Sequence, residues 1–106
     1  MKTNSTTIAA AFLVAGLGAT TAFAAPAHLK GGELASQAKV TLAQARATAL
    51  KARPGTITDQ ELEKEKGGSG LRYSFDIKQK ATTYEVGVDA QTGAVLENAA
   101  EGKNPD

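Results

Sequence analysis

The sequence has no cysteine and no tryptophan, and one histidine, His28. Without cysteine there is no disulfide, no thiolate nucleophile and no thiolate metal ligand. A lone histidine cannot build a multi-histidine zinc site, and it gives serine nucleophiles little to be activated by. An excess of one charge is also missing, with 12 Lys plus Arg against 11 Asp plus Glu. That balance removes the basic stripe of a nucleic-acid binder and the polybasic patch of a protein held on anionic membranes. The longest apolar run, Ile8 to Ala19, contains two glycines. It falls short of the roughly 20 residues that a bilayer-spanning helix needs.

The same run is what an export signal requires. Lys2 gives a modest positive start, the apolar run follows, and Ala22-Phe23-Ala24 places small residues at the positions a signal peptidase reads. Residues 1–24 are expected to be a signal peptide cut after Ala24, delivering a periplasmic or secreted chain with no membrane anchor. No cysteine follows to take a lipid. The remaining 82 residues carry equal numbers of basic and acidic side chains. They enter a compartment that permits disulfides yet must hold together by packing alone. Large apolar side chains are few, so the core is expected to be thin and a partner would add stability.

Residues 25–39, with Pro26 and the pair Gly31-Gly32, read as a flexible leader. Thr41 to Arg53 is the clear helix. Thr41 and Gln44 have capping-box spacing, and Leu42, Ala45, Ala49 and Ala52 form one apolar stripe. Pro54-Gly55 closes it. From Ile57 the period becomes two. Leu71, Tyr73, Phe75 and Ile77 alternate with polar residues, as do Tyr84, Val86 and Val88, which predicts antiparallel strands. Ile57 and Leu62 differ in parity, so the first strand is expected to carry a bulge. The order is one N-terminal helix and then four strands, an α+β fold with the helix on one face of a four-stranded antiparallel meander.

No cluster in this pattern has the spacing of an active site. Gly67-Gly68-Ser69-Gly70 lacks the nucleophile elbow and reads as a hairpin turn. Asp89, Gln91 and Thr92 lack the repeated acids of a calcium loop; Asp89 is expected to hydrogen-bond turn amides, with Gly93 at positive φ. No catalytic residue, no metal ligand and no cofactor are therefore expected. Glu61, Glu63 and Glu65 form an acidic row that suits either a basic partner or the protection of a sheet edge. Arg46 and Arg53, seven apart beside the apolar stripe, are candidate anion contacts or cover for the core. Ala94, Val95, Leu96, Glu97 and Asn98 make a short, weakly charged edge where a partner strand could add.

Three stretches carry a family resemblance: Val40-Thr41-Leu42-Ala43-Gln44-Ala45-Arg46-Ala47 opening the helix, Pro54-Gly55 closing it, and Tyr84 through Leu96 with its Asp89 and Thr92-Gly93 turn. Together, over residues 40–99, they resemble the PepSY domain, with residues 100–106 as a disordered tail. Gly87 departs from the pattern, where a larger residue is expected. The resemblance implies a cystatin-like helix-on-sheet unit without catalytic residues. It also implies a protein partner, with a peptidase of the cell envelope as the foremost candidate to be inhibited or modulated. The alternatives are a small-ligand or ion-binding module near Arg46 and Arg53, or a scaffold component of an envelope complex.

Overall fold

The computed structural model describes residues 28–102. The expected signal peptide, the first three leader residues and positions 103–106 of the tail lie outside them. A 3-10 turn, Gly32–Gln37, precedes helix α1, Leu42–Ala52, and four strands follow: β1 Thr56–Lys64, β2 Leu71–Gln79, β3 Thr82–Asp89 and β4 Val95–Ala100. The sheet is an antiparallel meander in the order β1-β2-β3-β4. The α+β arrangement read from the sequence is the one observed.

Helix α1 starts where its side chains can satisfy its free amides. Gln44 N donates to Thr41 Oγ1 at 3.1 Å and Thr41 N donates to Gln44 Oε1 at 2.8 Å, the reciprocal capping box. Its buried positions are Ala45 and Ala49, and their small side chains let it lie close across β2, β3 and β4. The helix-facing layer is Ile57, Leu62, Leu71, Tyr73, Phe75, Ile77, Val86 and Val88. The register explains how these residues meet. Phe75 lies opposite Gln60 on β1 and Val86 on β3, and Tyr73 lies opposite Leu62 and Val88. The parity conflict between Ile57 and Leu62 is resolved by an extra residue, Thr58, between the paired positions Ile57 and Asp59. A second bulge leaves Leu96 unpaired between Val95 and Glu97.

The two sheet edges differ. Along β1, Lys30 forms a parallel bridge to Glu61: Lys30 N donates to Gln60 O at 3.2 Å, and Leu62 N donates to Lys30 O at 2.8 Å. Gly31 makes this approach possible. It sits at φ 77°, where L-residues are disfavoured, and a Cβ there would run into the Leu62 carbonyl oxygen. Leu29 and Leu34 then pack against the core beside the 3-10 turn. From His28 on, the stretch read as a leader thus lies against β1 and covers its edge. β4 pairs with β3 alone, so its outer side carries no strand among the described residues.

Candidate functional site

The residues singled out by sequence fall into three places. Arg46 uses Nη1 to donate to Gln60 Oε1 at 2.8 Å, and Gln60 Nε2 donates to His28 O at 3.1 Å. Gln60 is 2% exposed, so this chain ties helix, sheet and the segment before the helix around a buried amide. Arg53 lies over the Tyr84 ring at 3.7 Å, and its Nε donates to Asn98 Oδ1 at 3.1 Å. Arg53 Nη1 also donates to Gln79 Oε1 at 3.4 Å, so its partners lie on β2, β3 and β4 while that of Arg46 lies on β1, and the two guanidiniums share no partner. The partners of both guanidiniums within the chain are side-chain amides and a ring.

The edge segment is largely strand. Ala94 belongs to the turn, where its carbonyl accepts from Asp89 N at 2.8 Å. Val95 is 43% exposed, the one large apolar side chain so exposed among the described residues. Asn98 is anchored by Arg53 and donates to Ala52 O at 3.3 Å, which fixes the strand to the end of α1. β4 also runs past the segment named from sequence, through Ala99 and Ala100. Glu101 N donates to Thr83 O at 2.9 Å, so pairing continues into the stretch read as tail.

Asp89 joins two turns. Its Oδ1 accepts from Gln91 N at 2.8 Å and Thr92 N at 3.1 Å, the expected turn chemistry, and Gly93 sits at φ 81°. Sequence reasoning missed its second set of donors, Ser69 N at 2.6 Å to Oδ2 and Ser69 Oγ at 2.8 Å to Oδ1. Burial pushes the Asp89 carboxyl up, but the Ser69, Gln91 and Thr92 donors outweigh it and hold it at about 2.

The third place is the sheet face away from α1, and little in the sequence announced it. β1 contributes Asp59, Glu61 and Glu63; β2 contributes Arg72, Ser74, Asp76 and Lys78. β3 contributes Thr83, Glu85 and Gly87, and β4 with its extension contributes Glu97, Ala99 and Glu101. Read across the strands, Asp59 faces Asp76, Asp76 faces Glu85, and Glu85 faces Ala99. Three carboxyls in one cross-strand row are mutually unfavourable. Lys30 Nζ relieves only the β1 end, at 3.1 Å from Asp59. Arg72 serves the neighbouring row through Glu97 at 3.4 Å and also donates to Lys66 O. Its guanidinium lies over Gly87, where a Cβ would come within 3.2 Å of Nη1, so the glycine that departs from the expected pattern makes room for it.

Asp76, Glu85 and Glu101 bring carboxylate oxygens within 4.8 Å of one another. Burial pushes Asp76 up to about 6, helped by a hydrogen bond with Glu101 and by the Glu101 and Asp59 charges, against Lys30. Burial likewise pushes Glu85 up to about 7, with Glu97, Asp76, Glu101 and Glu63 adding repulsion. Both groups hold protons in the folded state at pH values where the unfolded chain has released them. Stability should therefore fall as pH rises from about 4 to 7. Both carboxyls are half-buried and still partly screened by solvent, so the expected loss is on the order of 1 kcal/mol, about 4–8 °C in Tm. Thermal unfolding at about pH 5 and pH 8 measures it, and Glu85→Gln should flatten the slope. An unchanged slope in that variant would show that Glu85 does not titrate in this range.

A family model described as peptidase propeptide and YPEB domain, PepSY, matches residues 39–98, more than half of the chain. No curated protein and no solved structure matches it.

Proposed function

The chain belongs to the PepSY family, a family of propeptide- and inhibitor-like modules, and from that premise we propose that it is a small exported, non-catalytic interaction domain that restrains a peptidase of the cell envelope. The observation that carries this reading is the asymmetry of the sheet. One edge is occupied by the chain's own Lys30, whereas the outer edge of β4, Val95 to Ala100, has no strand beside it among the described residues. An extended segment near a peptidase active site is the kind of structure such an edge can pair with, because main-chain hydrogen bonds supply the affinity and side-chain pockets the selectivity. Restraint would then come from occlusion, without a covalent step. Export rests on the signal read in residues 1–24. No helix among the described residues is long and apolar enough to cross a membrane.

The test uses the chain from Ala25 to Asp106, added to envelope peptidases of the producing cell with a fluorogenic peptide substrate. The expected result is slowed cleavage by one peptidase, reversed on dilution, while the domain itself stays uncut. If every peptidase keeps its full rate and none is retained on the immobilised domain, the reading fails.

A further inference from the structure

The row Asp59, Asp76, Glu85, Ala99 crosses the whole sheet and stops at a methyl group on the open edge. At the β1 end the row has its cation, Lys30, delivered by a segment bridged to the edge strand. At the β4 end no cation of the described residues pairs with the row: no further strand follows Ala99 among them, Ala99 faces Glu85, and Glu101 two residues on brings its carboxylate within 4.8 Å of those of Glu85 and Asp76. A strand added beside β4 would place a side chain next to Ala99 on this face. Directly opposed residues on adjacent strands have Cβ atoms about 4.5–5.5 Å apart. A lysine or arginine there would lay its stem over the small Ala99 side chain and bring its charge to Glu85 and Glu101.

We infer that β4 takes up an extended, cationic segment of a partner protein, with alternate Lys or Arg side chains reaching over Ala99 to Glu85, Asp76 and Glu101. The inference rests on β4 being the partner edge of the proposed function and adds the chemistry of what it pairs with. Charge complementarity decides the occupant. Edge-to-edge pairing of two copies would set the Glu97 and Glu101 side chains of both along one seam, and like charges so placed are disfavoured. A segment with basic residues at alternate positions removes repulsion that the fold leaves standing, as Lys30 does at the opposite edge.

The probe is a capped peptide alternating lysine and valine, titrated into the 15N-labelled domain at low ionic strength. Amide shifts are expected along Val95 to Glu101 and at Glu85, and to be absent along β1. A peptide with glutamate for lysine should bind roughly tenfold more weakly or not at all. N-methylation of alternate amides on the pairing side should abolish binding, because it removes the ladder donors. Glu85→Gln should weaken binding about two- to fivefold. Ala99→Lys supplies the cation in cis, so it should raise Tm while weakening the lysine peptide. That paired outcome is not expected of a variant that merely unfolds.

Equal binding of the lysine and glutamate peptides, shifts confined to β1, or dimerisation through β4 would each overturn the inference. So would calcium reproducing the same shifts while the lysine peptide produces none, which would make Asp76, Glu85 and Glu101 a cation site instead. The peptidase assay is independent of all these arms. Inhibition without peptide binding would leave the proposed function standing and remove this inference, and peptide binding without inhibition would do the reverse.

Discussion

Replacing Asp89 by alanine is expected to cost about 3–5 kcal/mol, since it strands several buried amides at once and bonds to a charged acceptor contribute more than neutral ones. Asp89 is 1% exposed and accepts from Ser69 N, Ser69 Oγ, Gln91 N and Thr92 N. Solvent cannot take over these donors at a buried site without opening both turns. The consequences spread beyond the turns. The Ala90 carbonyl beside Asp89 accepts from Lys39 N at 3.0 Å and Val40 N at 2.9 Å, and Val40 O in turn accepts from Tyr73 Oη at 2.7 Å. The start of α1 is thereby hung on the end of β3. Urea denaturation should show a lower midpoint with an unchanged slope if the fold is retained. Asp89→Asn keeps the shape but has one acceptor oxygen, and should lie between the two. A loss below about 1 kcal/mol for Asp89→Ala would mean that the two turns are held by something else.

The pH dependence of this site opposes that of the open face. The Asp89 carboxyl is held at about 2, below the ordinary carboxylate range, so its contribution is fully present above that range and is lost as pH falls toward 2. Asp76 and Glu85, held at about 6 and about 7, contribute in the other sense. The two effects together place the most stable pH near 4–5.

Local signals made the architecture readable, and cross-strand neighbours hid the rest. The Thr41–Gln44 box, the Pro54-Gly55 stop, the alternation from Leu71 to Ile77 and the bulge between Ile57 and Leu62 all depend on residues close in sequence, and the structure has each. Gln60 is different. Alternation from Leu62 places it on the inner face, but that a buried glutamine there meets Arg46 from the helix and the His28 carbonyl cannot be read from residues close in sequence. Glu61, Glu63 and Glu65 are visible in sequence as an acidic row, but the row that crosses the sheet starts at Asp59 and reaches Asp76 and Glu85 only with three strands in register, and Glu65 lies past the end of β1. Gly87 looks like a loss to its strand until Arg72 is seen lying across it. The bridge at Lys30 was equally hidden, because a parallel contact between residues 31 apart leaves no periodicity to read.

Phe75→Ala is expected to remove about 3–5 kcal/mol, the usual cost of deleting a buried aromatic ring. The loss is large for this protein because the core has few substitutes for it. Phe75 is fully buried and lies on a central strand between Gln60 and Val86, with the Tyr73 ring stacked at a centroid distance of 6.3 Å. The helix side supplies Ala45 and Ala49, whose side chains have nothing to swing into the space a phenyl ring leaves. The surroundings are therefore expected to keep a cavity rather than collapse, which puts the variant toward the costly end of the range. A domain of this size has a total stability of about 4–11 kcal/mol, so Phe75→Ala should be partly unfolded at 37 °C, while Phe75→Leu retains most of the volume and should fold. Circular dichroism melts separate the outcomes. A midpoint within a few degrees of the parent for Phe75→Ala would show that α1 can settle onto the sheet. Because binding to the folded form alone raises apparent stability, a lysine-alternating peptide should move the midpoint of Phe75→Leu upward if β4 is its site. The core defect and the edge contact can then be read in the same melt.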